Sequence, residues 1–532
     1  MKDKRNRRRR KKERKKKIME MWFIIIISIC ICSLLNSIFS HFRSSTKLPP
    51  GPPSIPILTN LRWLRKSPLQ MESLLRTFVS KYGPIITLPI GSRPAVFIAD
   101  RSIAHKALVL NGALFADRPP APPVTKIASS NQHNINTASY GPLWRLLRRN
   151  LTSQILHPSR VKSYGRARKW VLDVLINRFV SHSQSGNPVC VVDHFQYAMF
   201  CLLVLMCFGD KLNESQIKEI ENVHHTMLIN LRRFNVLNFW PILTKILLRK
   251  RWETFLKLKN NRDEVLIPLI EARRKAKENR GGGEEEKQDE EFVVSYVDTL
   301  LDLEHPEEKR KLTDEEIVAI ASEFLNAGTD TTSTALQWIM ANLVKNPEIQ
   351  NKLYAEIKGV MGDGSREEVK EEELGKLPYL KAVVLEGLRR HPPGHFVLPH
   401  AVKEDTELEN YVIPKNGSVN FMVAEMGWDP KVWEDPMEFK PERFMKGGAG
   451  EEGGVEFDIT GSKEIKMMPF GAGRRICPGF GLAILHLEYF IGNLVWKFEW
   501  KGVEGEDVDL TEKVEFTVVM EKPLKANVIC RF

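Results

Sequence analysis

One of the seven cysteines stands in a setting unlike the rest. Cys477 lies in Phe470-Gly-Ala-Gly-Arg-Arg-Ile-Cys-Pro-Gly479, a glycine-rich loop directly before an apolar helical run. These residue types suit a thiolate that ligates a metal. Such a sulfur has to be screened from solvent, yet must accept backbone N–H bonds that lower its basicity and set a redox potential. Gly471, Gly473 and Gly479 allow tight or positive-φ backbone close to the sulfur, Pro478 stiffens the turn, and Phe470 would shield it. Arg475 is spaced to reach an anionic group beside the metal. An isolated intracellular cysteine is more often a small buried hydrophobe. Five fixed positions, Phe-x-x-Gly-x-Arg-x-Cys-x-Gly, decide against that here, since average residue usage produces them about once in ten thousand chains of this length.

The loop resembles the cysteine-ligand loop of the cytochrome P-450 superfamily, whose haem iron is held by a thiolate. Other stretches fit the same resemblance in the same order. Trp144-Arg-Leu-Leu-Arg148 places an indole N–H and a guanidinium on one helical face, similar to the family's contact with haem propionates. Ala327-Gly-Thr-Asp-Thr-Thr332 resembles the oxygen-activation motif, which implies that Gly328 opens the helix, Thr331 donates a hydrogen bond and Asp330 relays protons. Glu386, Arg389 and Arg443, from Glu386-Gly-Leu-Arg389 and Pro441-Glu-Arg-Phe444, resemble the structural Glu-Arg-Arg triad beneath the haem. By position His400 is a further propionate donor or a packing residue. The resemblance also points to His395-Phe-Val-Leu398, Phe516-Thr-Val-Val519 and the loop from Phe115-Ala-Asp-Arg-Pro-Pro120 to Tyr140 as substrate-facing, with packing or a solvated loop as the plain alternatives.

The elements that must position these residues are legible in outline. Thr313 and Glu316 form a capping box, and helical pattern then continues to Asn346-Pro347, an unusually long run whose centre carries the weak helix formers of the Ala-Gly-Thr-Asp stretch. A helix from Leu380 to Arg390 is stopped by Pro392-Pro393. Between about 57 and 110, apolar runs alternate with turn signals such as Tyr82-Gly-Pro84, as in a small sheet interleaved with helices. Residues 160–270 read as successive amphipathic helices, with His224 and His225 on the surface. Lys275 to Glu291 reads as a flexible loop. The fold implied is mainly α with small β-sheets (α+β), the P-450 prism, preceded by one transmembrane helix.

Charge and hydropathy separate the N-terminal region. Residues 1–18 are basic: thirteen Lys/Arg between 2 and 17 face only Asp3 and Glu13, so they carry +11 of the net +13, and the rest is nearly neutral. That leaves no compositional support for a nucleic-acid partner. Residues 22–40 carry no charge and would span roughly 29 Å as a helix, so 19–48 reads as a membrane anchor with its flanks. Residues 49–56 form a proline-rich hinge and 57–532 a single catalytic domain. So many positive charges before the span would draw the main domain into the lumen. A start at Met19 or Met21 removes the conflict, and residues 1–18 are expected to be absent from the functional protein. The scattered cysteines form no disulfide framework.

The resemblance implies haem b (iron protoporphyrin IX), O2, a small apolar or amphipathic organic substrate, and electrons from NADPH through a separate cytochrome reductase. The chain shows no flavin or nicotinamide fingerprint of its own. Lys463, Lys466 and Arg474 either present a basic docking face or are ordinary solvated charges. The finer pattern looks like a plant microsomal monooxygenase, single-pass in the endoplasmic reticulum with its catalytic domain in the cytosol and no obligate oligomer. Its sequons at Asn150, Asn213 and Asn416 would then stay bare. Rival readings are a haem-thiolate isomerase or dehydratase acting on peroxides, and a non-catalytic haem sensor. Neither the substrate nor the regioselectivity is readable from one chain.

Overall fold

The computed structural model describes residues 21, 28, 47–53, 66–90, 93–209, 212–238, 241–280, 294–362, 367–415, 417–445 and 457–532. The expected 1–18 extension, the 22–40 span apart from Ser28, the end of the hinge and Asn416 lie outside these residues. Two compact units are formed, Met1–Phe97 with Glu404–Gly417, and Ile98–Lys403 with Ser418–Phe532. In the first, a capping box between Ser67 and Gln70 opens the Pro68–Tyr82 helix. Gly83, at φ +106°, ends it and leads into the paired strands Ile85–Ile90 and Arg93–Ile98, the helix and small sheet that the turn signals announce.

Five helices of the second unit organise the site: α1 (Pro142–Asn150), α2 (Val191–Phe208), α3 (Asp314–Lys345), α4 (Pro378–Arg390) and α5 (Phe480–Lys497). Small sheets complete the unit. Lys525–Cys530 pairs antiparallel with Phe498–Gly502, Ala526 opposite Gly502 and Cys530 opposite Phe498, while Glu512–Val514 pairs with Val518–Met520. At the start of α3, Thr313 Oγ1 accepts from the Glu316 amide and Glu316 Oε2 from the Thr313 amide, the reciprocal capping expected.

Four local expectations change. Helix α3 runs unbroken through Ala327–Thr332, and Gly328 does not open it; a Cβ there would lie 2.6 Å from Leu203 Cδ1 of α2, so the glycine serves helix–helix contact. Helix α2 is not amphipathic. It is apolar on all sides, with mean hydropathy 1.8, because it is packed on all sides as a core helix with 67% of its residues buried. His224 is buried as well, its Nδ1–H donating to Ile220 O at 2.9 Å and its ring edge-on to Phe200, while His225 is exposed. Of the loop expected from Lys275 to Glu291, Lys275–Arg280 instead extend the Arg249–Arg280 helix, and 281–291 lie outside the described residues.

Glu386, Arg389 and Arg443 meet inside the protein. Glu386 Oε2 and Oε1 accept from Arg389 Nε and Nη2 at 2.7 and 2.8 Å, and Oε1 also takes Lys440 N at 2.8 Å and Arg443 Nε at 3.3 Å. Arg389 turns its remaining N–H groups to the carbonyls of Gly427, Pro436 and Glu438, and Arg443 Nη2 donates to Asp435 O. Glu386 is fully buried, so removing it strands two guanidinium groups in a dry interior. Glu386→Ala is expected to lower stability by about 3–5 kcal/mol, read as a lower thermal midpoint; an unchanged midpoint would show that the network contributes nothing net.

Candidate functional site

The cysteine loop is shaped by its own backbone. Cys477 N donates to Phe470 O at 2.8 Å, closing the loop, and Ile476 N to Gly473 O. Gly471 and Gly473 both sit at φ +69°, and a Cβ on Gly473 would fall 1.8 Å from the Leu108 carbonyl oxygen, so that position admits only glycine. Gly479 is different. Its φ is −91°, and its role is proximity, because its N–H bonds the Cys477 sulfur. Burial pushes the Cys477 thiol up, while that N–H and the Arg148 guanidinium pull it back. Cys477 lies deep in the unit and is nevertheless partly exposed. Phe470 is half-buried, its ring 6.3 Å from Phe480.

Three guanidinium groups converge nearby. Arg475 donates from Nε, Nη1 and Nη2 to the carbonyls of Ala116, Ile135 and Ala138 at 2.7, 3.0 and 2.7 Å, and its head lies 4.5 Å from the Trp144 ring centroid. Arg148 Nη2 donates to Ile476 O at 2.6 Å. Arg118, not singled out within the loop read as substrate-facing or solvated, donates to Asn136, Leu398 and Pro399 carbonyls. Among the described residues none of the three has a carboxylate within ion-pair distance. Burial lowers Arg118 to about 10, and burial with repulsion from Arg118 and Arg148 lowers Arg475 to about 9. The Trp144 indole N–H is buried without a partner. Unmatched buried cations and an orphan donor fit a group carrying carboxylates, such as the two propionates of haem.

Of the two readings of His400, the geometry is that of the packing residue. Its Nδ1–H donates to Phe115 O at 2.7 Å, and burial and Arg118 hold its pKa near 3, so the ring is neutral with the lone pair on Nε2. In that tautomer it accepts, and giving a hydrogen bond to a propionate requires the imidazolium. Arg474, read either as part of a docking face or as a solvated charge, is exposed and donates to Tyr140 Oη at 2.8 Å.

Helix α3 is uncovered at one window. From Leu325 to Val344 only Ala327 is exposed, flanked by half-covered Asn326, Gly328, Asp330 and Thr331. Thr331 Oγ1 donates to Ala327 O at 2.6 Å, so its proton is engaged and it presents lone pairs, unlike the donor expected. Burial, then the neighbouring Glu221 and Glu515 against His225, raises Asp330 to about 6.

Sequence reasoning missed Glu323. One oxygen accepts from Ile135 N at 2.9 Å and the other from Asn136 N at 2.6 Å. Burial outweighs these bonds and raises its pKa to about 7. The same loop therefore gives its amides to α3 and its carbonyls to Arg475. No local signal marks such a residue, which reads as one more acid on a long helix.

The cytochrome P450 family model matches residues 49–528. The chain belongs to the cytochrome P450 family. Cytochrome P450 89A9 of Arabidopsis thaliana is 52% identical over 520 residues, covering 96% of this chain and 98% of that protein. Geranylhydroquinone 3''-hydroxylase of Arnebia euchroma is 31% identical, with 91% and 94% covered. A zebra fish cytochrome P450 solved with progesterone has a TM-score of 0.70 at 21% identity, over 88% of this chain and all of that one, a likeness of fold. P450 proteins are haem-b thiolate enzymes that use O2, an organic substrate and a redox partner, and this P450 is accordingly a monooxygenase, an oxidoreductase.

The Glu323 contacts generate a test. Glu323→Ala leaves two buried amides unpaired, at about 1–3 kcal/mol each, and frees the loop that holds Arg475. Haem transfer from the holoprotein to an apo-globin acceptor is expected to accelerate about tenfold or more; an unchanged transfer rate would mean that Arg475 is held without the α3 carboxylate.

Proposed function

We propose that Cys477 ligates the haem iron and that the protein is a microsomal oxygenase of plant type, anchored through residues 22–40 in the endoplasmic reticulum membrane with its catalytic domain in the cytosol. It draws electrons from NADPH through a separate reductase and oxygenates a small apolar or amphipathic molecule. The observation that carries this reading is a deep, partly exposed cysteine in a loop closed by its own backbone, with three guanidinium groups nearby that form no ion pair among the described residues. When bound, haem supplies the redox centre at which O2 is activated.

The chain's own residues then have distinct tasks. Gly479 N–H and Arg148 hold Cys477 toward the thiolate, while Phe470 limits solvent access to the loop. Arg118, Arg148, Arg475 and the Trp144 N–H orient the carboxylates of the cofactor. Thr331, its proton engaged by Ala327 O, steadies a water or a protonated oxygen by accepting from it. Asp330, holding a proton up to about pH 6, exchanges it at the α3 window. Glu386, Arg389 and Arg443 fasten the scaffold and do no chemistry. Leu398 and Phe516, large apolar side chains left half exposed, support an apolar substrate. Relatives named for geranylhydroquinone and geissoschizine chemistry support small organic molecules as the class.

The deciding measurement is a carbon-monoxide difference spectrum of the dithionite-reduced holoprotein beside Cys477→Ser. The parent is expected to show the red-shifted Soret band of thiolate ligation and the variant to lack it; the same band in both would remove Cys477 as the ligand. Product formation that requires neither NADPH nor reductase would instead favour the isomerase reading.

Topology has its own check, narrower than three sequons suggest. Asn150 is buried with Nδ2 donating to Thr299 Oγ1, so it stays bare in any compartment. Asn213 caps the Glu214–Phe234 helix and is the informative described site. Glycosidase treatment of protein expressed in a plant cell is expected to leave its mass unchanged; a glycan on Asn213 would place the catalytic domain in the lumen.

A further inference from the structure

We propose that His133, His305 and Glu308 form a binding site for one divalent cation of the zinc type, built from residues outside the cysteine loop. One ligand atom from each of the three lies within 4.8 Å of the others. His133 is oriented for the role. Its Nδ1–H donates to Glu316 Oε1 at 2.6 Å, which fixes the tautomer and leaves the Nε2 lone pair free to coordinate. Carboxylate, imidazole and metal in line is the usual support for a histidine ligand. Glu316 is itself held by Arg310 Nη1 and Nη2, each at 2.7 Å, and by the Thr313 amide.

His305 supplies the second, independent observation. It is 2% exposed, and its Nε2 has no hydrogen-bond partner among the described residues. A buried ring nitrogen without a partner is costly unless something binds it. The ring stands 5.1 Å from that of His133 at a tilt of 47°. The turn that carries His305 is set by His305 N donating to Arg310 O at 2.7 Å and Lys309 N to His305 O at 2.9 Å. Glu308 gives Oε2 to Arg310 Nε, leaving its other oxygen available. Coordination at His305 Nε2 puts the ring proton on Nδ1, so the 3.2 Å bond that Nδ1 accepts from Glu308 N is given up.

Two imidazoles and one carboxylate suit zinc with a water in the fourth position, whereas calcium and magnesium favour oxygen donors throughout. The cation would tie the loop bearing His133 to the turn that precedes α3. That loop is the one whose Ile135 and Ala138 carbonyls hold Arg475. The site therefore fastens the cofactor-side loop from its outer end and takes no part in the redox chemistry.

The test uses the untagged holoprotein, stripped with a chelator and desalted, then titrated with zinc chloride by calorimetry while haem content is followed at the Soret band. One zinc per chain is expected, with a rise in thermal midpoint. Glu308→Gln, at a half-exposed position that leaves the core intact, is expected to weaken binding by about tenfold or more, since even loss of a partner behind a ligand costs that much. His305→Gln is expected to abolish it. A parent that binds no zinc overturns the proposal, and so does a parent whose stoichiometry and affinity are matched by both variants, which would mean an adventitious ion only.

Discussion

Positive charge largely withdrawn from water, with no ion-paired carboxylate among the described residues, is the constraint on which the site depends. Arg118, Arg148 and Arg475 are withdrawn from water, and two of them lower the pKa of the third. Backbone carbonyls solvate them in place of carboxylates, which keeps the cations ionised without neutralising them. A protein that only needed stability would have placed an acid there or dispensed with the charge. Two acids, Asp117 and Glu323, reach both Arg118 and Arg475 electrostatically, but Glu323 is committed to two backbone amides and neither acid makes an ion pair with them among the described residues. The missing negative charge is left to the cofactor.

Helix α3 carries the other half of the arrangement. Its first turn holds Glu316, two turns later comes Glu323, and two turns beyond that lie Asp330 and Thr331. Three consecutive stretches of one helix thus address His133, the backbone at 135–136 and the uncovered window around Ala327. The Gly328 contact with Leu203 sets how closely α3 approaches α2, so the spacing is fixed by packing and not by a local break in the helix.

What the sequence revealed followed the range of the interactions. The capping box of Thr313 and Glu316, the length of α3 and the positive-φ glycines of the cysteine loop are local, and local patterns predict them. Trp144 and Arg148 were found because i and i+4 share a helical face. The partners of Arg475 lie more than 330 positions away, and they are main-chain carbonyls that no residue type advertises. The same holds for Arg118, for the carbonyl that takes the proton of His400, and for His224, which reads as a surface residue until the Glu214–Phe234 helix is packed. The engaged hydroxyl of Thr331 escaped notice for another reason. Composition names a hydroxyl but not the direction of its proton.

The loop between Ala116 and Tyr140 meets both Arg475 and Glu323 through its main chain. Ala116, Ile135 and Ala138 contribute carbonyl oxygens, and Ile135 and Asn136 contribute amides, so every residue type except proline at 135 or 136 makes the same bonds. Apart from Arg118, His133, Tyr140 and the buried Ala116, Ile135 and Ala138, side chains along this stretch are consequently free to diverge while the path of the chain is kept. Preference for one organic molecule over another can drift through substitution there without disturbing how the metal centre is seated, and a family built on this device can change what it oxidises faster than how it does so.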